Sequence, residues 1–561
     1  MKKLILISTL ILCGASYAQE SFTIDDALRM DNVGDVKILP DGSSVFYSIS
    51  SLDWSKNKQT KRYFLASADG SSVMEYISRT GDESFSFSPD GKSLAFLREV
   101  ESDGDSDEPK MQLFIMPTNG GEAIQVSEHP GKIVDYKWSP NVETIFFVAE
   151  EVYDEETEKE IKLGADPVFV DEAPNGKERA RFSNIWELDM IDSKDARKIT
   201  DEKLIIDEFA LGTDNATIIF VARPDDRTNY GHFAELYIYR DGKLEQLTSN
   251  EAPESLPLIS PDASKLAYRA PSDEGFELRS GYFWVMDLET REKHRLDGQK
   301  TDEVFGAVTW SADSTSLIYN EQHGVNTNLY EINTVNGVTK ALTNKTGIRR
   351  AQAFSADAKT VAYVFEDHTS PKDVYVSDLS LSDPVRLTDA NPWIREDRTL
   401  TQGEVLQWKG KGGTLIEGIY YPPVQKGRSS GKDPLIVFIH GGPAAAWEAS
   451  FRDDFQIMTN AGYAILAPNP RGSQGYGEVF LQALRGEVGD GEFIDMMNGV
   501  DHVIANKNVD PDRLGVSGWS WGGVAASYTV TQTQRFKAAS IGAMVGNWAA
   551  ETGPGFNFDV A

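Results

Sequence analysis

Ser88-Pro89-Asp90-Gly91, followed by Lys92-Ser93-Leu94-Ala95-Phe96-Leu97-Arg98, decides the reading of the chain up to about residue 395. Proline presets φ in a tight turn, and Ser and Asp side chains tie back to the nearby backbone. The residues after the turn form a strand that buries one face. The same unit recurs as Leu39-Pro40-Asp41-Gly42 before SSVFYSI, Ser139-Pro140-Asn141 before VETIFFVAE, and Gly212-Thr213-Asp214-Asn215 before ATIIFVAR. It returns as Ser260-Pro261-Asp262 before ASKLAYRA, Ser311-Ala312-Asp313 before STSLIYN, and Ser355-Ala356-Asp357 before AKTVAYVF. The steps between second residues of the seven copies are 49, 51, 73, 48, 51 and 44. Most copies are followed by a second strand with a polar or Gly-containing turn, such as ELYIYRDGKLEQLT, which reads as a hairpin partner.

A period near 50 with several strands per unit predicts a β-propeller of seven blades, because one blade cannot bury both of its faces alone. A β-sandwich array or a solenoid is the competing architecture. The step of 73 marks an insertion at about 149–183. It carries the acidic run Glu150-Glu151-Val152-Tyr153-Asp154-Glu155-Glu156 and Asp171-Glu172, and a further acidic stretch spans Glu101 to Glu108. Such runs read first as solvated loops. Glu150, Glu151, Asp171 and Glu172 are the candidates for a carboxylate that faces a chamber and pairs with a substrate amine.

After about Leu400 the pattern alternates strand and helix: PLIVFIH, a helical stretch to Asn460, YAILAPN, an amphipathic run from Phe493 to Asn506, RLGVSG, and a helix from Trp521. Alternation of this kind predicts a parallel sheet covered by helices. The expected fold is therefore all-β plus α/β: a signal peptide at 1–18, a seven-bladed β-propeller at 19–395 and an α/β domain at 396–561, which the motifs described below mark as the α/β-hydrolase type. A chain of 561 residues with 40% apolar content is large enough for two such domains.

A net charge of −32 excludes nucleic acid as a partner and disfavours an anionic membrane surface. The N-terminus has the pattern of an export signal. Lys2 and Lys3 precede the apolar run Leu4–Leu12, and Ser16-Tyr17-Ala18 offers a cut after Ala18. The run is far shorter than the ~20 residues that span a bilayer. Leu12 fits poorly before a lipid-bearing Cys13. The expectation is an exported protein, periplasmic or secreted, with no membrane association after cleavage. Cys13 is the single cysteine, so the mature chain has neither disulfides nor thiolate metal sites.

Three motifs carry the chemistry. Gly518-Trp519-Ser520-Trp521-Gly522 is a G-x-S-x-G that follows the apolar strand Leu514–Val516 and opens a helical run. Small residues at its ends permit a sharp strand-to-helix turn that lifts a serine hydroxyl clear of the sheet. A second match, Gly427-Arg428-Ser429-Ser430-Gly431, lies in a polar loop and is rejected. His440-Gly441-Gly442-Pro443 follows the strand LIVFI, where glycines let backbone N–H groups approach a carbonyl oxygen. Together these make Ser520 the candidate nucleophile, with the Gly441 or Gly442 amide and the Trp521 amide as candidate oxyanion donors. His440 precedes the nucleophile and is read as a loop-organising residue. The third motif is Asn469-Pro470-Arg471-Gly472-Ser473-Gln474-Gly475-Tyr476-Gly477. It lacks both glycine-rich phosphate-binding patterns and reads as a site-shaping loop with a structural Arg471. No cofactor or metal is implied.

Propeller-type repeats followed by HGGP, NPRGSQGYG and GWSWGG resemble the prolyl oligopeptidase family of serine peptidases, most closely its acylaminoacyl-peptidase and dipeptidyl-peptidase branches. The resemblance implies that Ser520 forms an acyl-enzyme on a peptide carbonyl and that the propeller admits short peptides while excluding folded chains. It also implies a triad in the order Ser, Asp, His. None of the seven histidines follows Ser520, and Glu551 and Asp559 are the only acids after it. The triad Asp and His are therefore expected beyond Ala561, and the domain is expected to be truncated after the nucleophile helix and the next strand, KAASIGAM. An esterase on the same fold, or a non-catalytic propeller binding protein, are the alternatives.

Overall fold

The computed structural model describes residues 19–77, 81–100, 110–153, 159, 181–190, 196–224, 233–250, 252–271, 281–297, 304–424 and 431–547. The expected signal peptide, the stretch Glu101–Glu108, Asp171, Glu172 and most of the rejected Ser429 motif lie outside them.

The repeats fold as antiparallel four-stranded meanders. The first comprises Asn32–Ile38, Ser44–Asp53, Lys58–Ser67 and Val73–Ile77. Five separate sheets have this form. The last two repeats form one eight-stranded sheet, in which a single parallel pairing, Thr327 with Ile348, joins two meanders. Each quoted motif is the turn between the first and second strand. In five of them the serine hydroxyl donates to the acid or amide two residues on, as Ser88 to Asp90 (2.7 Å) and Ser260 to Asp262 (2.6 Å). That bond, from Ser260, holds the Asp262 carboxyl down at about 2. The first strand of each meander also carries a β-bulge shortly before the turn, for example between Gly34 and Lys37 and between Ile133 and Asp135. A bulge bends its strand and increases local twist.

A second recurring device sits at the outer edge. A Ser or Thr after the fourth strand accepts from the backbone N–H of the third strand: Leu113 to Ser127, Ile185 to Thr200, Leu236 to Thr248, Leu329 to Thr343 and Val374 to Thr388, all at 2.8–2.9 Å. The hydroxyl in turn donates onward, in the sixth repeat to Asn328 Oδ1 at 2.9 Å.

Aromatic and β-branched residues of adjacent sheets interlock. Phe46 and Tyr63 meet Phe85, Phe87 and Phe96 in one cluster, and Phe283 meets Tyr319 in another. The first sheet packs on the last through Val36, Val45, Tyr47, Ala362, Val374 and Val376. The Ala356 N–H donates to the Pro40 carbonyl across the same seam (2.8 Å). The sheets therefore close into a propeller.

The following domain has a six-stranded sheet in the order Glu404–Lys409, Leu415–Tyr421, Ala464–Asn469, Asp433–Ile439, Val509–Trp519, Phe536–Gly542. The pairings among the last four are parallel. Helices Asp453–Asn460, Gly491–Asn506 and Trp521–Gln532 complete the expected α/β pattern. Phe536–Gly542 is the edge strand of the described sheet, and Lys537 to Ile541 are exposed along it. The expected boundary at 395/396 falls inside the helix Pro392–Asp397. There the N-terminal segment is stapled on: Glu20–Ser21 pairs with Arg398–Thr399, and Arg398 grips the buried Asp26 through two 2.9 Å bonds.

Removing the outer-edge hydroxyl at Thr343 orphans the buried Leu329 N–H and takes one of two donors from the Asn328 amide oxygen. Thr343→Val is expected to lower stability by about 1–3 kcal/mol in urea unfolding, and Thr343→Ser to recover most of the loss.

Candidate active site

Ser520 sits between the strand Val509–Trp519 and the helix Trp521–Gln532, with φ 56° and ψ −123°. A non-glycine residue at such a φ is strained and must be held by its surroundings. They do so by crowding. A β-carbon on Gly518 would overlap the Gly522 carbonyl, one on Gly522 the Ile439 carbonyl, and one on Gly523 the Gly542 carbonyl. Hydrogen bonds fasten the turn: the Ser520 N–H donates to the Gly542 carbonyl (3.0 Å), and the Ser520 carbonyl accepts from Gly523 (2.8 Å) and Val524 (3.1 Å).

The glycine loop after Asp433–Ile439 lies against this turn. A β-carbon on Gly441 would stand 3.4 Å from the Ser520 Cβ and 4.0 Å from its Oγ. Gly442 has φ 120°, which an L side chain rarely adopts. His440 is buried and engages Ser473 Oγ through Nε2 (2.9 Å) and the Gly441 carbonyl through Nδ1 (2.8 Å). Burial drives its imidazole down to about 4. It thus ties the HGGP loop to the NPRGSQGYG loop, as does the Gln474 N–H on the Ala445 carbonyl (3.0 Å). The Asn469 side chain bridges the same loops, accepting from the Trp447 N–H (2.7 Å) and donating to the Trp447 carbonyl (3.0 Å).

Arg471 is structural, as the sequence reading proposes. Its guanidinium forks onto the fully buried Asp495 at 2.7 and 2.9 Å and also reaches the Lys411 carbonyl (3.0 Å). Glu492, one helical turn before Asp495, accepts from the Trp521 indole N–H (3.1 Å) and the Gly489 N–H (3.1 Å), and burial pushes its carboxyl up. Glu492 so anchors the residue after Ser520. Nothing in the local sequence marks Glu492 or Asp495, which lie on an amphipathic helix among other acids.

The remaining candidates disperse. Glu150 pairs with Arg181 (3.4 Å), while Glu151 accepts from Asn184 and pairs with Lys198, both at 2.9 Å. Each is already engaged by its own sheet. The other described histidines are held elsewhere: His129 at Gly131, His294 at the Thr334 carbonyl, His323 near Glu321, His368 at the Tyr421 hydroxyl, and His502 beside Trp408. None of the described histidines hydrogen-bonds Ser520.

The propeller rests directly on the site-forming loops. Gly324 N–H donates to the Gly475 carbonyl (2.8 Å), and the Tyr282 hydroxyl meets Glu478 (2.7 Å). Thr327 and Arg350 hold Glu448 at 2.9 and 2.5 Å.

A serine on a strained strand-to-helix turn, beside a glycine loop and under a propeller, defines the propeller-capped serine hydrolases. Residues 449–553 match the Prolyl oligopeptidase family. The chain is 27% identical to an uncharacterized peptidase, YuxL, of Bacillus subtilis over 94% of this chain and 82% of that one. It is 24% identical to dipeptidyl-peptidase 5 of Porphyromonas gingivalis over 93% of this chain and 78% of that one. The fold superimposes on an acylaminoacyl peptidase of Pyrococcus horikoshii with a TM-score of 0.77 at 19% identity, covering 96% and 82% of the two chains. The chain is a serine hydrolase of the peptidase type, and the segment of it that matches the prolyl oligopeptidase family contains Ser520.

The folded His440 stays neutral down to about 4, whereas an unfolded histidine takes its proton near 6.5. The unfolded state therefore binds more protons in that window, and stability falls as pH drops through it. His440→Gln is expected to flatten this acid limb in thermal unfolding between about pH 6.5 and 4.

Proposed function

We propose that this peptidase hydrolyses short peptides through an acyl-enzyme on Ser520. The observation that carries the reading is the forced backbone of Ser520 with Gly441 packed against it. Attack by Ser520 Oγ on a peptide carbonyl places the developing oxyanion near the HGGP loop and the start of the helix Trp521–Gln532. The Gly441 or Gly442 amide and the Trp521 amide are the assigned donors. Backbone donors aimed at that charge act without reorganisation at the moment of reaction. The helix N-terminus adds partial positive charge at the same point. None of the described histidines is assigned as the base, since each is engaged elsewhere.

Above this site we read the eight-stranded sheet as two blades, which makes a seven-bladed ring over residues 19–395 and a peptidase domain over 396–561. A ring that rests on the loops after HGGP and in NPRGSQGYG would exclude folded chains and admit short peptides. The relatives named as peptidases and dipeptidyl-peptidases support the substrate class. We further read the N-terminal eighteen residues as an export signal.

A serine-reactive fluorophosphonate is expected to label the full-length protein at Ser520. Ser520→Ala should abolish labelling and lower kcat on short peptides by about 10⁴-fold or more. Persistent labelling of the Ser520→Ala protein would refute the nucleophile. Absence of labelling in the unaltered protein would favour a binding role for the propeller.

A further inference from the structure

The outer-edge device of the propeller provides its own internal control. In four repeats the Ser or Thr hydroxyl donates to the side chain that opens the third strand: Ser127 to Gln112, Thr200 to Asn184, Thr343 to Asn328 and Thr388 to Asp373, at 2.6–2.9 Å. A backbone N–H two residues beyond the hydroxyl donates to the same side chain: His129, Glu202, Lys345 and Ala390. Three of these acceptors are neutral amides. The fourth, Asp373, is paired with Arg386 at 2.6 Å.

The fourth repeat departs from this pattern. The corresponding side chain is Glu235, a carboxylate with no cation paired to it among the described residues. It keeps the backbone donor, Asn250 N–H at 2.7 Å, on Oε1. The Thr248 hydroxyl turns away and donates to Glu254 Oε2 (2.9 Å), while Asn250 Nδ2 donates to Glu254 Oε1 (2.7 Å). The Glu254 N–H is bound to the carbonyl of Ala234, next to Glu235 (2.9 Å). Glu235 is 7% exposed and Glu254 3%, and Glu235 Oε2 is buried without a hydrogen-bond partner. Two adjoining buried carboxyl groups without a cation cannot both be ionised at small cost, and one acceptor lacks a donor.

We propose that Glu235 and Glu254 hold one proton between them at neutral pH, a carboxylic acid–carboxylate pair that fastens the outer edge of the fourth repeat. The Glu254 O–H donates to Glu235 Oε2 and fills the vacant bond. In alkaline solution the proton passes to water and the fastening opens. Burial, with the Glu235 charge beside it, pushes the Glu254 carboxyl up to about 8. The other titratable groups facing the pair among the described residues are Tyr268, which senses both carboxyls, and Tyr237, which senses Glu235 and Glu202. None of these can donate a compensating positive charge.

The sign follows from linkage. An unfolded glutamate releases its proton near 4.3, whereas the folded pair retains one to about 8. Between these values the folded state binds the extra proton, so this contribution to stability falls as pH rises and is gone above about 8. In Glu254→Gln a permanent amide N–H replaces the titrating O–H. Relative to the unaltered protein, its folding constant should rise by up to about tenfold per pH unit between pH 5 and 8 in urea unfolding. Glu235→Gln should show the same change of slope. The infrared spectrum at pH 7 should contain a protonated-carboxyl stretch that disappears in either variant and in the unaltered protein above pH 9. Parallel pH profiles, or a spectrum without that stretch, would overturn the proposal. So would a midpoint that rises with calcium or sodium chloride and falls with chelator in the unaltered protein alone, because a cation would then be the occupant. If Glu254→Gln does not fold, Glu235→Gln and the titration of the stretch in the unaltered protein still decide the matter.

Discussion

At Ser520 the backbone turns from strand to helix in a conformation that L residues avoid, and the site depends on keeping it there. Three glycines make this possible by letting carbonyl oxygens approach where any β-carbon would collide. The same close approach brings the strand Asp433–Ile439 and its glycine loop beside the serine. Cost and benefit are local to one turn: strain of order 1–3 kcal/mol is balanced by the packing that surrounds it. Polar groups farther out then fix the two loops against each other. Asp495 neutralises Arg471, His440 bridges to Ser473, and Asn469 closes onto Trp447. Each of these is buried and paired, so the loops have little freedom to relax around Ser520.

The propeller achieves order differently, by repeating one set of small polar parts. A hydroxyl caps the turn of most units at one end, and another hydroxyl caps the third strand at the outer edge. Between them lie alternating apolar faces that only a neighbouring sheet can cover. The domain contacts use this regularity too. Residues where the second strand turns into the third, such as Gly324 and Thr327, reach the loops that shape the site.

Much of this architecture is legible in the sequence because its signals are redundant. Ser-Pro-Asp turns recur often enough that no single copy has to be correct, and the hydrolase motifs follow apolar strands in a fixed order. What escaped has a physical reason. The outer-edge hydroxyls are marked only by pairs such as Leu342-Thr343, too short and common to stand out. The bulges have no compositional signature. Glu492 and Asp495 lie on an amphipathic helix where acids ordinarily face water, and only the fold brings Trp521 and Arg471 over them. Glu150 and Glu151 looked available to a ligand because their partners, Arg181, Asn184 and Lys198, are more than thirty residues away in the chain.

The seam between the first and last sheets has a consequence in time as well as in space. Pro40 and Ala356, which meet there, are separated by roughly 300 residues, and Asp26 waits still longer for Arg398. Contacts so distant in sequence form late and slow the search for the native state. As the chain emerges from the ribosome, the first sheet has one apolar face without a neighbour until the last repeat has been made. A ring without a covalent clasp is thus finished by its final piece, and a growing chain of this design carries an open, adhesive surface for most of its synthesis.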